Sequence, residues 1–516
     1  MGSLRARVGL LEARPPEQRY PEDLLDDVAR FTAEVGSSTL RPYQCTVAEA
    51  VLDSVRRGRG DVITVMMARQ MGKNQTSAAL EYYLLALFSR AGGQIVKAAP
   101  TFKPQIINSM LRLGRELEGP YTAGRSRPVF GYGLQLGRAR ILFFSAEKGS
   151  NVVGATADIL LEIDEAQDVD ETKYLQDFRP MASTTNATTV LYGTAWTEDC
   201  LLEKTRRHNL ELEERDGRRR HFEFDWTTLA ALNPAYKQFV SSEIARMGID
   251  HPVVRTQYLL HAVPGLGKFL SAKQRELLRG RHDRLRAPEA GGVVSGPSGH
   301  GVSGRGVSGH AVYVAGVDIA GEDEEASDAA LRALKPRRDS TVVTIGRVSW
   351  NDEGEVGVEV VEHYWWTGRD HQTQLQELER LTREVWNCRR VVVDATGVGA
   401  GLASWLGRTL GELVVEPFVF SAPSKSRLGF QLLEMINTGR CSVYGDGGDE
   451  AAELWGEVGL ARYEMRENNQ MRWYVAPHEG HDDFLVSLAL CCQAAQGAAR
   501  PAADAVVRPR RIAYGD

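Results

Sequence analysis

VITVMMARQMGKNQTS, residues 62–77, is the stretch whose reading decides the fold. VITVMM is an apolar, β-branched run of strand length, Ala68–Lys73 a turn, and Asn74–Ser89 a helix. Strand, tight turn and helix in that order point converging backbone N–H groups and a helix N-terminus at an anion. Gly72 lets the backbone come close to phosphates, and Lys73 neutralises their oxygens. Two positions depart from the usual phosphate loop. Met67 stands where the first glycine is expected, and Asn74 replaces the magnesium-binding hydroxyl, so that either Asn74 acts through water or Thr76 or Ser77 helps.

Outward from the loop, short β-branched runs alternate with amphipathic segments, the mark of a parallel α/β sheet. The strands expected are 62–67, 94–99, 139–145, 158–164 and 188–194. ILLEIDEAQD (159–168) is a buried strand that presents Asp164 at its C-terminal end, where such sheets hold ligands. Asp164 is the expected magnesium ligand and Glu165 the group that polarises the attacking water. Upstream, RPYQ (41–44) offers Gln44, whose amide has the donor and acceptor to read an adenine edge; a polar turn after proline is the plainer alternative. TTVLYGTAW (188–196) ends on Thr194, a hydroxyl placed to sense a γ-phosphate.

The last third carries a second set of residues. VYVAGVDIAG (312–321), RRVVVDATGVGAG (389–401) and HDDFLVSLALCC (481–492) place Asp318 and Asp394 at strand ends, and Asp482 and Asp483 at the start of an apolar helix. Two strands and a helix delivering carboxylates to one point is the arrangement of a ribonuclease-H-like fold, suited to two divalent ions. A lone strand-end aspartate is more often a turn residue; the three segments together favour metal. His481 either supports the pair or caps the helix. TGVGAG after Asp394 lacks GxGxxG spacing, which argues against a dinucleotide loop.

Length and composition bound these readings. At 516 residues the chain exceeds one core. A net charge of −6 excludes a chain that is basic throughout, so a nucleic-acid partner requires local Arg/Lys patches. Six cysteines without CxxC spacing read as buried thiols. No apolar run reaches the roughly 18 residues needed to cross a bilayer, and no signal-peptide core is evident. The expected divisions are a phosphate-loop domain with a helical lead-in (1–196), a polar helical lid or linker subdomain (197–265), a flexible linker (266–310), an α/β nuclease-type domain (311–495) and a basic tail (496–516). Within them, 291–310 is a Gly/Ser/Val near-repeat, and 322–340 is a charged insertion between the first two strands of the last domain.

In order, RPYQ, RQMGKN, LEIDEAQ, LYGTAW, GVDIAG, VVVDATGVG and HDDFLVSLAL resemble the large terminase subunit of tailed bacteriophages over residues 40–495. The resemblance implies an additional-strand ATPase domain and a ribonuclease-H-like nuclease. ATP with Mg²⁺ would serve the first and two Mg²⁺ or Mn²⁺ ions the second. It implies double-stranded DNA, a portal ring and a small terminase subunit as partners, and a pentameric ring of copies, monomeric in solution, working in the host cytoplasm at the procapsid portal and absent from the virion. Arg69 matches the arginine that completes the ATP site within the subunit. The arginine offered in trans is found in a stretch similar to 151–158, where this chain has Val153; Arg138 or Arg140 are the substitutes. The rival expectations are a helicase-like translocase whose last domain only docks, and a DNA-binding or recombination protein that uses the aspartates alone.

Overall fold

The computed structural model describes residue 25 and residues 27–36, 39–119, 122–150, 152, 154–288, 311–320, 340–351, 353–397, 399–445, 447–466 and 469–500. The near-repeat over 291–310, the insertion up to residue 339 and the tail beyond 500 lie outside the described residues. Two compact units form, one from residues up to 244 with 252–265, the other mainly from 245–251, 266–466 and 470 onward.

The first unit is built on one sheet of eight strands: β1 (Val62–Met67), β2 (Gly93–Ala99), β3 (Ser126–Val129), β4 (Gly133–Leu136), β5 (Ala139–Ser145), β6 (Leu160–Ile163), β7 (Thr188–Gly193) and β8 (His221–Phe224). Their spatial order is β3-β4-β5-β2-β6-β7-β1-β8. Neighbours from β5 to β8 run parallel, and β3–β4–β5 add an antiparallel edge. The central strands are mostly apolar and buried on both faces, as parallel strands covered by helices must be. Strand β7 separates β1 from β6, so the phosphate-loop strand and the acidic strand are not neighbours; this is the additional-strand arrangement. Helices α1 (Pro42–Arg57) and α2 (Lys73–Phe88) flank the loop.

Two boundaries differ from the sequence reading. Residues 221–224, assigned to a separate lid, form β8 and pair in parallel with β1. Helix α3 (Leu201–Asp216) is stitched to that edge by Asn209, which is buried and donates to Thr64 Oγ1 (3.1 Å) and to the Arg220 carbonyl (3.3 Å). A short helix α4 (Pro252–Gln257) follows.

The second unit carries a six-stranded and a three-stranded sheet. Its strands are β9 (Leu266–Lys268), β10 (Val312–Asp318), β11 (Ser340–Trp350), β12 (Val356–Thr367), β13 (Arg390–Asp394), β14 (Val415–Phe418), β15 (Cys441–Val443), β16 (Arg462–Arg466) and β17 (Gln470–Tyr474). The orders are β14-β13-β10-β11-β12-β15 and β17-β16-β9. An antiparallel β10–β11–β12 meander with β13 and β14 added in parallel beyond β10 is the ribonuclease-H-like topology. Helices α5 (Ala272–Leu278), α6 (Gly399–Leu410), α7 (Ala422–Asn437), α8 (Asp449–Leu460) and α9 (Asp483–Gln496) pack around it.

The first part of the expected linker is ordered. Residues 266–288 contribute β9 and α5, and then run along the large sheet. Gly280 N–H donates to the Val443 carbonyl (2.7 Å) and Leu285 N–H to that of Val361 (2.9 Å). Arg284 pairs with Glu362 (2.5 Å) and Glu450 (2.9 Å). Composition hid this because the segment's few apolar anchors, Phe269, Leu270 and Leu278, are scattered among polar residues and do not form a continuous stripe. No helix among the described residues is long and apolar enough to cross a membrane.

Candidate functional site

The phosphate loop leaves β1 at Met67, turns through Gln70 (φ +66°) and Gly72 (φ +90°), and enters α2 at Lys73. Gly72 is required twice over: its φ lies in the left-handed region, and a Cβ there would stand 2.5 Å from Gln44 Nε2. Gln44 itself is buried, and both ends of its amide are engaged. Its oxygen accepts from Arg41 N–H (2.8 Å), and its nitrogen donates to the carbonyls of Met71 (3.4 Å) and Gly72 (3.2 Å). Tyr43 O–H adds a bond to the Met71 carbonyl (2.7 Å). Gln44 is therefore a strut that fixes the loop. Reading adenine would require exchanging some of those bonds for bonds to the base.

Among the polar side chains at the start of α2, Thr76 and Ser77 are already committed. Thr76 O–H donates to the Gly72 carbonyl (3.0 Å), and Ser77 O–H bonds Glu81 and Glu162. Both hydroxyl protons are thus engaged. Asn74 Oδ1 is buried without a hydrogen-bond partner, an unusual cost for an amide oxygen unless a ligand offsets it. Its position suits a magnesium ligand.

Asp164 follows the C-terminal end of β6, and burial, then the neighbouring Glu165, push its carboxyl up. Glu165 adopts φ +46°, a backbone conformation that non-glycine residues rarely hold and that clusters at functional sites. Burial would raise its carboxyl, but Lys73, Gln167 and Arg69 hold it below the usual range. Lys73 Nζ lies 3.1 Å from Glu165 Oε2. From there a closed circuit of bonds surrounds the loop. Gln167 donates to Glu165 Oε2 (2.8 Å) and accepts from Thr194 N–H (3.2 Å). Thr194 Oγ1 accepts from Gln257 Nε2 (3.3 Å), and the Gln257 carbonyl accepts from Arg69 N–H (2.9 Å). Tyr236 O–H closes on the Arg69 carbonyl (2.8 Å). Lys73, Glu165, Thr194 and Arg69, all singled out in the sequence, meet here. Gln167 and Gln257 were missed: the first is within the quoted LEIDEAQ, while the second has no local signal.

Beneath the loop lies a buried cluster that the sequence did not announce. Lys97 Nζ bonds Ser77 Oγ and Glu81 Oε1, both at 2.7 Å. Burial opposes its charge, yet Glu81, with Glu162 and Asp164 behind it, keeps the ammonium above its ordinary range. Arg140 lies at the opposite, N-terminal end of β5, where it bonds Gln94 (2.7 Å) and stacks over Phe130.

In the second unit, β10 and β13 are parallel neighbours, so Asp318 and Asp394 emerge at the same sheet edge. Helix α9 lies flush on β10 because residue 316 is glycine: a Cβ there would meet Cys491 N and the Ser487 carbonyl at 2.2 Å. Ser487 O–H bonds the Gly316 (2.9 Å) and Val342 (3.1 Å) carbonyls, fixing the helix lengthwise. Asp482 and Asp483 at its start thus reach the same edge. All four aspartates line one cavity of about 280 Å³ with Ser340, Phe420 and Lys425. Asp483 accepts from Ser340 N–H (2.8 Å), Asp394 from Thr396 N–H (2.7 Å), and Asp482 pairs with Lys425 (3.0 Å).

The carboxylates line the cavity without converging: among the described residues no three acidic, His or Cys side chains already form a ligating cluster. The oxygen-only donor set nevertheless fits Mg²⁺ or Mn²⁺. Burial, then Asp483, Asp394 and Asp482, push the Asp318 carboxyl far up, and a bound cation would relieve that crowding. Glu457 on α8 was also missed. It accepts Leu485 N–H (2.8 Å) at the start of α9, and burial pushes it up to about 9.

A stability consequence follows from these directions. Asp318, Asp394 and Glu457 all bind protons more tightly folded than unfolded. Their contribution is complete below the ordinary carboxylate range and is lost as pH rises through the folded values. In chelator, the melting temperature of wild type relative to Asp318→Asn should therefore fall as pH rises above the ordinary carboxylate range, and Mn²⁺ should close the gap. Parallel pH profiles for the two proteins in thermal melts would contradict it.

No family model matches the chain, and no curated protein is significantly similar to it. Among solved structures, the chain is similar to the large terminase of a thermophilic bacteriophage, at 12% identity and a TM-score of 0.47 over 88% of this chain and 98% of that one. It is similar to the bacteriophage HK97 large terminase at 15% identity and a TM-score of 0.38, covering 93% and 99% respectively. The magnesium-bound large terminase nuclease of thermophilic phage G20c is similar at 19% identity and a TM-score of 0.29, covering 43% of this chain and 95% of that one.

Proposed function

We propose that this chain is the large subunit of a viral DNA-packaging terminase, hydrolysing ATP to move double-stranded DNA into a procapsid and cutting the concatemer. The observation that carries the reading is the pairing in one polypeptide of a Lys73–Glu165 phosphate-loop site with four aspartates around one cavity of a ribonuclease-H-like sheet. Lys73 and the loop N–H groups hold the phosphates, with Arg69 close to the reacting end. Asp164 and Asn74 would hold magnesium. Glu165 takes up the water proton, and Gln167 orients it. Thr194 and Gln257 carry the change at the phosphates to helix α4.

In the second unit Asp318, Asp394, Asp482 and Asp483 would hold two divalent ions, which activate water and stabilise the leaving oxygen. Residues up to 265 are proposed as the motor, with 221–224 as part of its sheet, 266–288 with 311–495 as the nuclease, and 291–310 as the link. A portal ring, a small subunit and a ring of five copies complete the assembly, in the cytoplasm of the infected host.

Purified protein incubated with supercoiled plasmid should cut it in Mn²⁺ without ATP, and should hydrolyse ATP in Mg²⁺. A translocase whose second unit only docks would hydrolyse ATP and leave the plasmid supercoiled. A protein that uses the aspartates alone would cut and leave ATP intact.

A further inference from the structure

A second cavity of about 320 Å³ adjoins the aspartate cavity and shares Phe420 and Lys425 with it. Its remaining walls are Ser421, Ala422, Arg466, Gln470, Met471 and Arg472. The two cavities differ sharply in charge: one is floored by four carboxylates, the other flanked by two arginines about half exposed, at 45% and 51%. Glu464 lies 3.8 Å from Arg466 and 3.7 Å from Arg472, within ion-pair range of both.

Lys425 stands at the junction and is held there from several sides. Its carbonyl accepts the buried indole N–H of Trp473 (2.8 Å), and its ammonium lies 4.8 Å from the Trp473 ring centroid and 5.9 Å from that of Phe420. Trp473 stacks on Phe269 at 5.2 Å and rests against Gly429, where a Cβ would come within 2.5 Å. Met471 N–H donates to Ser426 Oγ (2.9 Å), sewing β17 to α7. A lysine fixed this firmly between an acidic and a basic cavity is poorly explained as surface charge.

We propose that the second cavity receives one DNA strand beside the bond that is cut, and that Lys425 is a further catalytic residue contacting the phosphate between the two cavities. The inference rests on the nuclease reading of the aspartate cavity. A groove with cationic rims and an aromatic edge suits a phosphodiester strand and its bases, and it is too small for a duplex. Four carboxylates alone repel a phosphate; a fixed ammonium at the entrance offsets that repulsion. In the metal-free protein it pairs with Asp482, and a cation taken up by Asp482 leaves it facing the groove.

The test uses the full chain. Lys425→Met should slow plasmid cutting in Mn²⁺ by at least about tenfold, with Lys425→Arg recovering part of the loss. Mn²⁺ affinity by calorimetry should stay equal or tighten, because Asp482 loses a competitor. In an Asp394→Asn background, Arg466→Ala with Arg472→Ala should weaken binding of a fluorescent single-stranded oligonucleotide and reduce its log–log salt slope by about 1.4, two phosphate contacts' worth. Mn²⁺ affinity falling together with cutting in Lys425→Met would make the lysine a structural part of the acidic site and overturn the catalytic role. Unchanged strand affinity and slope in the double variant would overturn the groove. Wild type that cuts no DNA would instead remove the nuclease reading and the catalytic role of Lys425, while the binding measurement would still decide the groove.

Discussion

Glu165→Gln should lower ATP turnover by about 10²-fold or more while binding ATP as tightly as wild type or up to about tenfold tighter. The two halves of that result have separate causes. Turnover falls because an amide cannot take up the proton of attacking water. Affinity is kept or rises because in the free protein Lys73 is paired with Glu165 at 3.1 Å, and incoming phosphates must break that pair. The pair is largely shielded, with Lys73 11% and Glu165 26% exposed, so water does little to weaken it. Lys73→Ala should do the opposite to binding, removing the cation the phosphates need. Fluorescent nucleotide titration alongside a phosphate-release assay separates the cases. Glu165→Gln with normal turnover would remove Glu165 from the reaction; Glu165→Gln with weakened binding would mean the ion pair supports the loop rather than competing for it.

The parts of the fold set by continuous apolar runs were legible in the chain. β1 and β5 occupy the residues expected from VITVMM and ARILFFS, since a run buried on both faces has no alternative reading. What escaped was held by other means. β3 and β4 are four residues each and partly exposed, and β8 is HFEF; such strands are fixed by the edge they pair with, not by their own pattern. The ordered segment 266–288 escaped because its apolar anchors are scattered.

The sites divide similarly. Residues whose chemistry depends on local spacing, such as Gly72 with Lys73 or Asp164 with Glu165, could be named from the sequence. Gln257, Lys425 and Glu457 reach their sites from helices well away in the chain, where nothing nearby marks them. Gln44 is ambiguous in the sequence. Its amide can serve a base or a backbone equally well, and only the fold reveals that Met71 and Gly72 have taken its donor. Asn74 was marked in the sequence only by its departure from a hydroxyl, and the fold adds that its oxygen is buried without a hydrogen-bond partner.

Asp394→Asn should abolish plasmid cutting in Mn²⁺, by at least about 10²-fold, and leave ATP hydrolysis at the wild-type rate. The substitution keeps shape and the bond from Thr396 N–H (2.7 Å) to the side-chain oxygen, so the backbone after β13 has no reason to move. It removes one negative charge from the four around the cavity. Metal affinity should fall, and with it the stabilisation that Mn²⁺ gives to the folded protein, whereas melting in chelator should hold or rise because crowding of the carboxylates is relieved. That opposite response, less stable than wild type with metal and at least as stable without it, cannot come from a general folding defect. The decisive comparison sets wild type against Asp394→Asn at equal concentration, following nicked and linear plasmid and the melting temperature in the same buffers. Equal cutting by the two would point to a contaminating nuclease or another site. Lost cutting with an unchanged response to Mn²⁺ would place Asp394 outside the metal site and leave Asp318, Asp482 and Asp483 to form it alone.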